Sequence, residues 1–256
     1  MEIRRTLISI ALLATALISN PSWSVAATPG KITKERFTFG DRTITYYLFV
    51  PKGVTAPASA PMVVLLHGSG RDGSSLVEPW KTLAEKEGIV LVGPDAQSPQ
   101  GWYVPTDGPA ALCALLDSVR QSLPVVNPRR MYLFGHSAGA VFVLYMATLE
   151  SNYFAAAALH AGAWRAPEEF TSIDALERKI PMSLAVGDSD RFFPVADVNA
   201  TAAALKKAGV PVETQIIPNH DHNYYVISGK VNDWVWAALK GHELAEDPRY
   251  TPRQFR

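Results

Sequence analysis

The chain has 256 residues, and its 24 lysines and arginines balance its 24 aspartates and glutamates, so its formal net charge is zero. Hydrophobic residues make up 48% of the sequence and charged residues 19%, an ordinary globular composition with ample material for a core. This balance excludes a strongly basic nucleic-acid-binding protein, and the length fits one large α/β domain.

The N-terminus predicts a secretory signal peptide over residues 1–27. A basic start is followed by the apolar stretch Leu7 to Ile18 and by small residues before Ala27. The apolar stretch is short for a membrane span, and an uncleaved anchor is the alternative. We therefore expect a mature domain over residues 28–256 that is secreted or periplasmic and has no membrane span after signal removal. With Cys113 as the single cysteine, no intramolecular disulfide can form, and we expect it to be a buried small hydrophobic residue.

Strands and helices alternate along the remaining chain. An antiparallel hairpin is predicted around Gly40-Asp41 from segments 34–39 and 43–50. Apolar runs predict six further strands, at 62–66, 89–92, 130–134, 154–159, 182–186 and 212–217. Helices are predicted at 75–87, 110–123, 140–147, 168–179, 195–208 and 223–239. The pattern predicts an eight-stranded, mainly parallel sheet with helices on both faces. The segment between Gly162 and Lys179 is too short for a large lid.

A G-x-S-x-G motif joins strand 130–134 to the apolar helix 140–147, and its residues are Gly135-His136-Ser137-Ala138-Gly139. Strand, tight turn and helix are the context of a nucleophile elbow, whereas the alternative is a glycine-rich turn that happens to hold a serine. A Cβ at either glycine would crowd the bend. The helix N-terminus offers N–H groups to a developing oxyanion.

These segments carry a family resemblance. The chain resembles an α/β-hydrolase over essentially all residues after the signal peptide. It is also similar to secreted esterases grouped with polyhydroxybutyrate depolymerases and feruloyl esterases, through Leu66-His67-Gly68, Gly101-Trp102-Tyr103, residues 130–139 and residues 220–225. The last segment is similar to the histidine segment of esterase D-type enzymes as well. The chain departs from the depolymerase pattern in lacking a cysteine beside His67-Gly68 and in having Ala138 after the serine, which concerns the substrate rather than the chemistry.

A serine nucleophile needs a base, and the base needs an orienting carboxylate. In this fold the order along the chain is Ser, Asp or Glu, then His, with the functional loops at the carboxyl ends of the strands. Ser137 is the predicted nucleophile. Asp190 matches the G-x-x-D placement, and Asp188 is the alternative acid, for which a turn role is favoured. His222 is chosen over His220 because Asp-His-Asn-Tyr-Tyr aligns with the Asp-His-Ser-Tyr-Tyr of esterase D-type enzymes, where that histidine is the base.

Two backbone N–H groups are expected to form the oxyanion hole, those of Ala138 and Ser69. Further residues follow strands on the catalytic edge and are candidates for contact with substrate, although simple packing is an equal alternative for each aromatic one. These candidates are His67, which we also expect to anchor the oxyanion loop, and Trp102, Tyr103, Trp164 and Tyr224.

The other histidines receive structural interpretations. His136 is expected to pack at the elbow and to point away from the triad, and His160 to lie behind the site. A zinc site is the competing use of so many histidines. His220-x-His222 lacks a third ligand at helical or hairpin spacing, so no metal and no cofactor are predicted.

The sequence as a whole predicts a secreted serine hydrolase that cleaves a small or polymeric carboxylic ester through an acyl-enzyme. A peptidase of the same fold and a catalytically silent binding protein are the alternatives. The acyl group, the alcohol and the oligomeric state are left open.

Overall fold

A computed structural model describes residues 27–250, so the signal-peptide prediction lies almost wholly outside the described residues. Eight strands form one sheet: β1 (Ile32–Phe39), β2 (Arg42–Phe49), β3 (Ala60–Leu66), β4 (Val90–Pro94), β5 (Val126–His136), β6 (Ala156–His160), β7 (Met182–Gly187) and β8 (Val212–Ile217). The six α-helices are α1 (Ser74–Glu87), α2 (Val104–Asp107), α3 (Pro109–Ser122), α4 (Ala138–Leu149), α5 (Val195–Lys207) and α6 (Ser228–Leu239). Two 3-10 helices span Pro167–Ala175 and Tyr224–Val226.

The strand order in the sheet is β1-β2-β4-β3-β5-β6-β7-β8. β1 pairs antiparallel with β2, and β2 pairs antiparallel with β4. Every later pairing is parallel, from β4 through β3, β5, β6 and β7 to β8. The predicted mainly parallel, eight-stranded sheet is confirmed.

Helices cover both faces of this sheet, and a separate apolar core lies under each layer. On one face α1 and α6 pack through side chains such as Trp80 and Trp236. On the other face α3, α4 and α5 pack through side chains such as Leu116, Phe142 and Leu205. Because the central strands are covered on both sides, β3, β4, β6 and β7 are buried along their whole length.

Three helical segments differ from the predicted ones. The loop after β4 contains the short helix α2, which has Pro105 in its first turn. The stretch predicted as a helix at 168–179 is the 3-10 helix Pro167–Ala175. The closing helix begins at Ser228 rather than 223, because Tyr224 turns into the core and its hydroxyl donates to Asn232 Oδ1 at 2.6 Å.

The connection from β6 to β7 carries only the 3-10 helix Pro167–Ala175, so residues 27–250 contain no large lid. In the same range no helix combines the length and apolar character needed to cross a bilayer. Cys113 is a free, fully buried thiol, as expected, and burial raises its pKa well above the usual value.

Candidate active site

Ser137 occupies the bend between β5, which ends at His136, and α4, which begins at Ala138. Its backbone has φ +58° and ψ −121°, a strained combination for a residue with a side chain. A Cβ on Gly135 would lie 2.3 Å from the Gly139 oxygen, and one on Gly139 would lie 1.9 Å from the Leu66 oxygen. Both glycines are therefore required by close backbone approach, which is what the motif predicts.

The side chains of Ser137, His222 and Asp190 lie on one hydrogen-bonded line. His222 Nε2 is 2.9 Å from Ser137 Oγ, and His222 Nδ1 is 2.8 Å from Asp190 Oδ2. The Asp190 side chain is fully enclosed, and its Oδ1 accepts the N–H groups of Phe192 and Phe193 at 2.8 and 2.9 Å. An acceptor-only carboxylate fixes the His222 tautomer with its hydrogen on Nδ1, which leaves Nε2 to accept the serine hydroxyl.

Two loop contacts bring His222 and Asp190 together from separate strands. The Ser189 N–H donates to the His220 carbonyl at 3.0 Å, and the Asn219 N–H donates to Asp188 Oδ2 at 3.0 Å. These bonds tie the loop after β7 to the loop after β8. Asp188, the alternative acid, is exposed, and its carboxylate accepts the Asn219 N–H and the Ser189 hydroxyl, whereas the His222 ring pairs with Asp190.

Sequence reasoning missed the two phenylalanines around the base. The rings of Phe192 and Phe193 lie 4.8 and 5.9 Å from the His222 ring, measured between centroids. Phe192 is 66% exposed, so one large apolar side chain lies open beside the base. The available signal was their position two and three residues after Asp190 in the sequence.

His220 belongs to a buried histidine chain rather than to the serine. Its Nε2 lies 3.3 Å from His160 Nε2, and His160 Nδ1 lies 3.1 Å from His136 Nδ1. His136 and His160 are register partners at the ends of β5 and β6, so their side chains point to the same face of the sheet. All three side chains are buried.

Two members of this chain, His136 and His160, are held neutral by burial, and His136 contacts the His222 ring. Burial, with the nearby His222 as a second cause, lowers the pKa of His136 to about 3. Burial, with His136 as the second cause, lowers the pKa of His160 to about 2. The His136 and His222 ring centroids are 4.9 Å apart, so the expectation that His136 points away from the triad is wrong. Successive side chains point to opposite faces of a sheet only while the backbone stays extended. Ser137 has a positive φ and leaves the strand, so alternation does not separate the His136 side chain from the residues around Ser137.

The predicted oxyanion donors lie on two sides of a small gap. Neither the Ser69 nor the Ala138 N–H donates to an acceptor within residues 27–250. A Cβ on Gly68 would lie 3.2 Å from Ser137 Cβ, so the loop after β3 runs against the serine. A Cβ on Gly101 would lie 3.0 Å from Ala138 Cβ and 3.4 Å from Ser69 Oγ. Gly101 thus lies against the side chains of the two residues whose N–H groups are the predicted donors.

His67 holds this loop and has no free ring nitrogen. Its Nε2 accepts the Ala96 N–H at 3.0 Å, and its Nδ1–H donates to the Gly68 carbonyl at 2.8 Å. The Trp102 indole N–H donates to the His67 carbonyl at 2.8 Å. His67 is 2% exposed, and burial lowers its pKa. It therefore anchors the loop, and both of its ring nitrogens are engaged by the backbone.

A cleft of about 560 Å³ opens next to Ala138. Trp102 lies in its wall and stacks on Phe142, with ring centroids 4.9 Å apart and planes 13° apart. Tyr103, also in the wall, is 61% exposed. These two candidates for substrate contact therefore line a cleft beside Ser137.

Trp164 and Tyr224, the other two aromatic candidates, do not line this cleft and follow the packing alternative. Trp164 is 1% exposed and packs against Tyr145 and Phe170. Tyr224 is fully buried and packs against His136. Both follow strands at the correct edge of the sheet, but their rings turn inward and fill the core beneath the site. In the described part of the chain, no three His, Cys, Asp or Glu side chains are grouped as metal ligands.

The strand order and the strained serine at the end of β5 place the chain in the class of α/β-hydrolases. The dienelactone hydrolase family model matches residues 109–241, just over half of the chain. The chain belongs to this family.

Individual relatives agree with this class. Over 126 residues the chain is 32% identical to poly(3-hydroxyalkanoate) depolymerase C of Paucimonas lemoignei, a match that covers 44% of this chain and 30% of that relative. The match thus spans less than a third of the relative's length. The structure of LpqC, a poly(3-hydroxybutyrate) depolymerase from Bordetella parapertussis, superposes with a TM-score of 0.66 at 20% identity, over 82% of this chain and 91% of the other. A ferulic acid esterase gives 0.64 at 16% identity, over 82% and 97%.

Proposed function

We propose that the protein is a serine hydrolase that cleaves carboxylic esters, with Ser137 as nucleophile, His222 as base and Asp190 as the orienting acid. The observation that carries the proposal is the unbroken line of hydrogen bonds from Ser137 Oγ through His222 to the enclosed Asp190 carboxylate. Supporting it, the Ser69 and Ala138 N–H groups, which donate to no acceptor within residues 27–250, belong to segments that meet at a strained serine, an arrangement suited to stabilising a tetrahedral oxyanion.

The reaction proceeds in two halves. Ser137 Oγ attacks the ester carbonyl carbon while His222 Nε2 takes the hydroxyl proton, and the N–H groups of Ser69 and Ala138 bind the oxyanion. Collapse of the tetrahedral intermediate breaks the bond to the alkoxide, which receives the proton from His222. Water, deprotonated by His222, then attacks the acyl-enzyme and releases the acid and Ser137. Asp190 stabilises the imidazolium in both halves.

The cellular setting is part of the same proposal. The basic start, apolar stretch and small residues of segment 1–27 support export, with residues 28–256 as one mature hydrolase domain in the periplasm or outside the cell. Relatives whose names are depolymerase and esterase support an ester substrate. The cleft has no large lid over it among the described residues, so it accommodates the end or a loop of a polymer as well as a small ester.

Hydrolysis of p-nitrophenyl esters, from acetyl to long acyl chains, tests the proposal. The Ser137→Ala variant is expected to lose activity by several orders of magnitude. Ser59→Ala is the matched control. Ser59 is exposed and directly precedes β3, so it lies at the amino ends of the parallel strands, away from Ser137 at their carboxyl ends. Equal rates for wild type and Ser137→Ala would exclude Ser137 as nucleophile. Hydrolysis of peptide p-nitroanilides without ester cleavage would replace the esterase with a peptidase, and no turnover of either would favour a binding protein.

A further inference from the structure

The two sides of the candidate nucleophile receive different parts of an ester. If the proposed function holds, the leaving oxygen must meet His222 Nε2, so the alcohol lies on the side of Phe192 and Phe193. The cleft of about 560 Å³ starts at Ala138, and neither phenylalanine nor His222 lines it. The acyl group is therefore the part that enters the cleft.

The cleft is apolar near the nucleophile and acidic at its far wall. Trp102, Val141 and Phe142 line the near part, and Glu168 and Glu169 line the far part from the 3-10 helix Pro167–Ala175. Among the described residues that line the cleft there is no lysine, arginine or histidine. The cleft thus presents two carboxylates to an acyl group and no cation.

The carboxylate of Glu169 is held in place by three donors. Its Oε2 accepts the N–H groups of Arg165 and Ala166 at 2.6 and 2.8 Å, and its Oε1 lies 3.4 Å from the Tyr145 hydroxyl. Arg165, the cationic residue nearest to Glu169 along the chain, directs its side chain to other partners. The Arg165 guanidinium pairs with Asp197 at 3.0 Å and lies 4.6 Å from the centre of the Phe193 ring. Glu168 is exposed and lines the same cleft. Burial, with the charges of Glu169 and Glu168 as further causes, raises the pKa of the cleft residue Tyr145.

We propose that this cleft selects uncharged, apolar acyl groups and rejects acyl groups that end in a carboxylate, with Glu168 and Glu169 as the residues that determine this specificity. A substrate carboxylate there would meet two like charges and would leave water for an aromatic surface. Repulsion at several ångströms in a partly solvated cleft amounts to about tenfold in kcat/KM.

A pair of esters of equal length tests the charge directly: p-nitrophenyl pentanoate and mono-p-nitrophenyl glutarate, which share the leaving group and differ in the end of the acyl chain. Wild type is expected to prefer the pentanoate by about tenfold or more. Glu168→Gln should shrink this preference several-fold, Glu168→Lys should shrink it further or reverse it, and about 1 M sodium chloride should weaken it in wild type. Glu213→Gln, the same change on the exposed edge strand β8, should leave it unchanged.

A second pair of esters, 4-methylphenyl and 4-(carboxymethyl)phenyl pentanoate, places the charge on the leaving group instead. Glu168→Lys should leave the ratio of kcat/KM for this pair unchanged. A preference that is the same in wild type and Glu168→Lys for the first pair overturns the proposal, as does a change confined to the second pair. If the proposed ester hydrolysis itself were wrong, Ser137→Ala would match wild type on every substrate. That outcome is distinct from an unchanged preference between the two acyl groups.

Discussion

His136 Nδ1 and His160 Nδ1 lie 3.1 Å apart at the carboxyl ends of the neighbouring strands β5 and β6. His160 uses its second nitrogen toward His220, at 3.3 Å. Each neutral imidazole has one N–H and one acceptor nitrogen, so the two bonds must run in one direction through His160. A proton added to His160 would leave it without an acceptor nitrogen and would place a charge in a buried core.

The stability of the fold should therefore fall in acid. The folded-state pKa values of about 3 for His136 and about 2 for His160 lie below the unfolded value of about 6.5. Their contribution is complete above about pH 6.5 and is lost as the pH falls toward those folded values, because the unfolded chain binds protons that the native state excludes. The free energy of unfolding should drop by about 1.4 kcal/mol per pH unit for each histidine.

Urea unfolding between about pH 4 and pH 7 measures this slope. The His160→Gln variant should show a shallower slope than wild type, since it removes one histidine that is kept neutral. His242→Gln, which alters a half-buried histidine outside the chain of three, is the control for a general histidine effect. Identical slopes in wild type and His160→Gln would contradict the assignment.

The two aspartates of the loop after β7 should differ sharply in their effect on catalysis. Asp190→Asn keeps the shape but removes the charge that orients His222, so kcat should fall by about 1,000- to 10,000-fold. Asp188→Asn should change kcat by only a few-fold, because Asp188 holds the loop through the Asn219 N–H. Steady-state ester hydrolysis by both variants checks this, and a larger loss in Asp188→Asn would exchange their roles.

The two histidines after β8 offer a matched pair as well. His222→Gln should abolish nearly all turnover, a loss of about 1,000-fold or more, because no group remains to take the Ser137 proton. His220→Gln should retain activity within about tenfold and should lower the thermal midpoint, since it breaks the bond to buried His160. The comparison requires kcat and thermal unfolding for both variants; loss of turnover in His220→Gln at unchanged stability would argue for a direct part in the chemistry.

Gly101 should be sensitive to the smallest substitution. Gly101→Ala places a Cβ at 3.0 Å from Ala138 Cβ and 3.4 Å from Ser69 Oγ, against the two residues that carry the proposed oxyanion donors, on a backbone with φ +128°. We expect kcat/KM to fall by about tenfold or more, in line with partial loss of an oxyanion donor. Gly229→Ala is the control, because a Cβ there meets no atom within 4 Å. Unchanged kcat/KM in Gly101→Ala would show that the gap is not used.

Much of the candidate site could be predicted because it depends on local order. A strand, a tight turn and a helix around Ser137 are contiguous in the chain, and the glycines that the bend requires are visible as letters. Asp190 and His222 follow strands, and the carboxyl ends of parallel strands meet at one edge of a sheet. Their convergence on Ser137 therefore follows once the sheet is known to be parallel.

What the sequence by itself determined was the alternation of elements, the parallel sheet and the loops that carry chemically capable side chains. Only the tertiary structure decided where those side chains point. It turned Trp164 and Tyr224 into the core, placed His136 against His222, and linked His160 to His220 across the sheet. The physical reason is that strand patterns are set by neighbours along the chain, whereas burial and ring contacts depend on strand order and packing between segments distant in sequence.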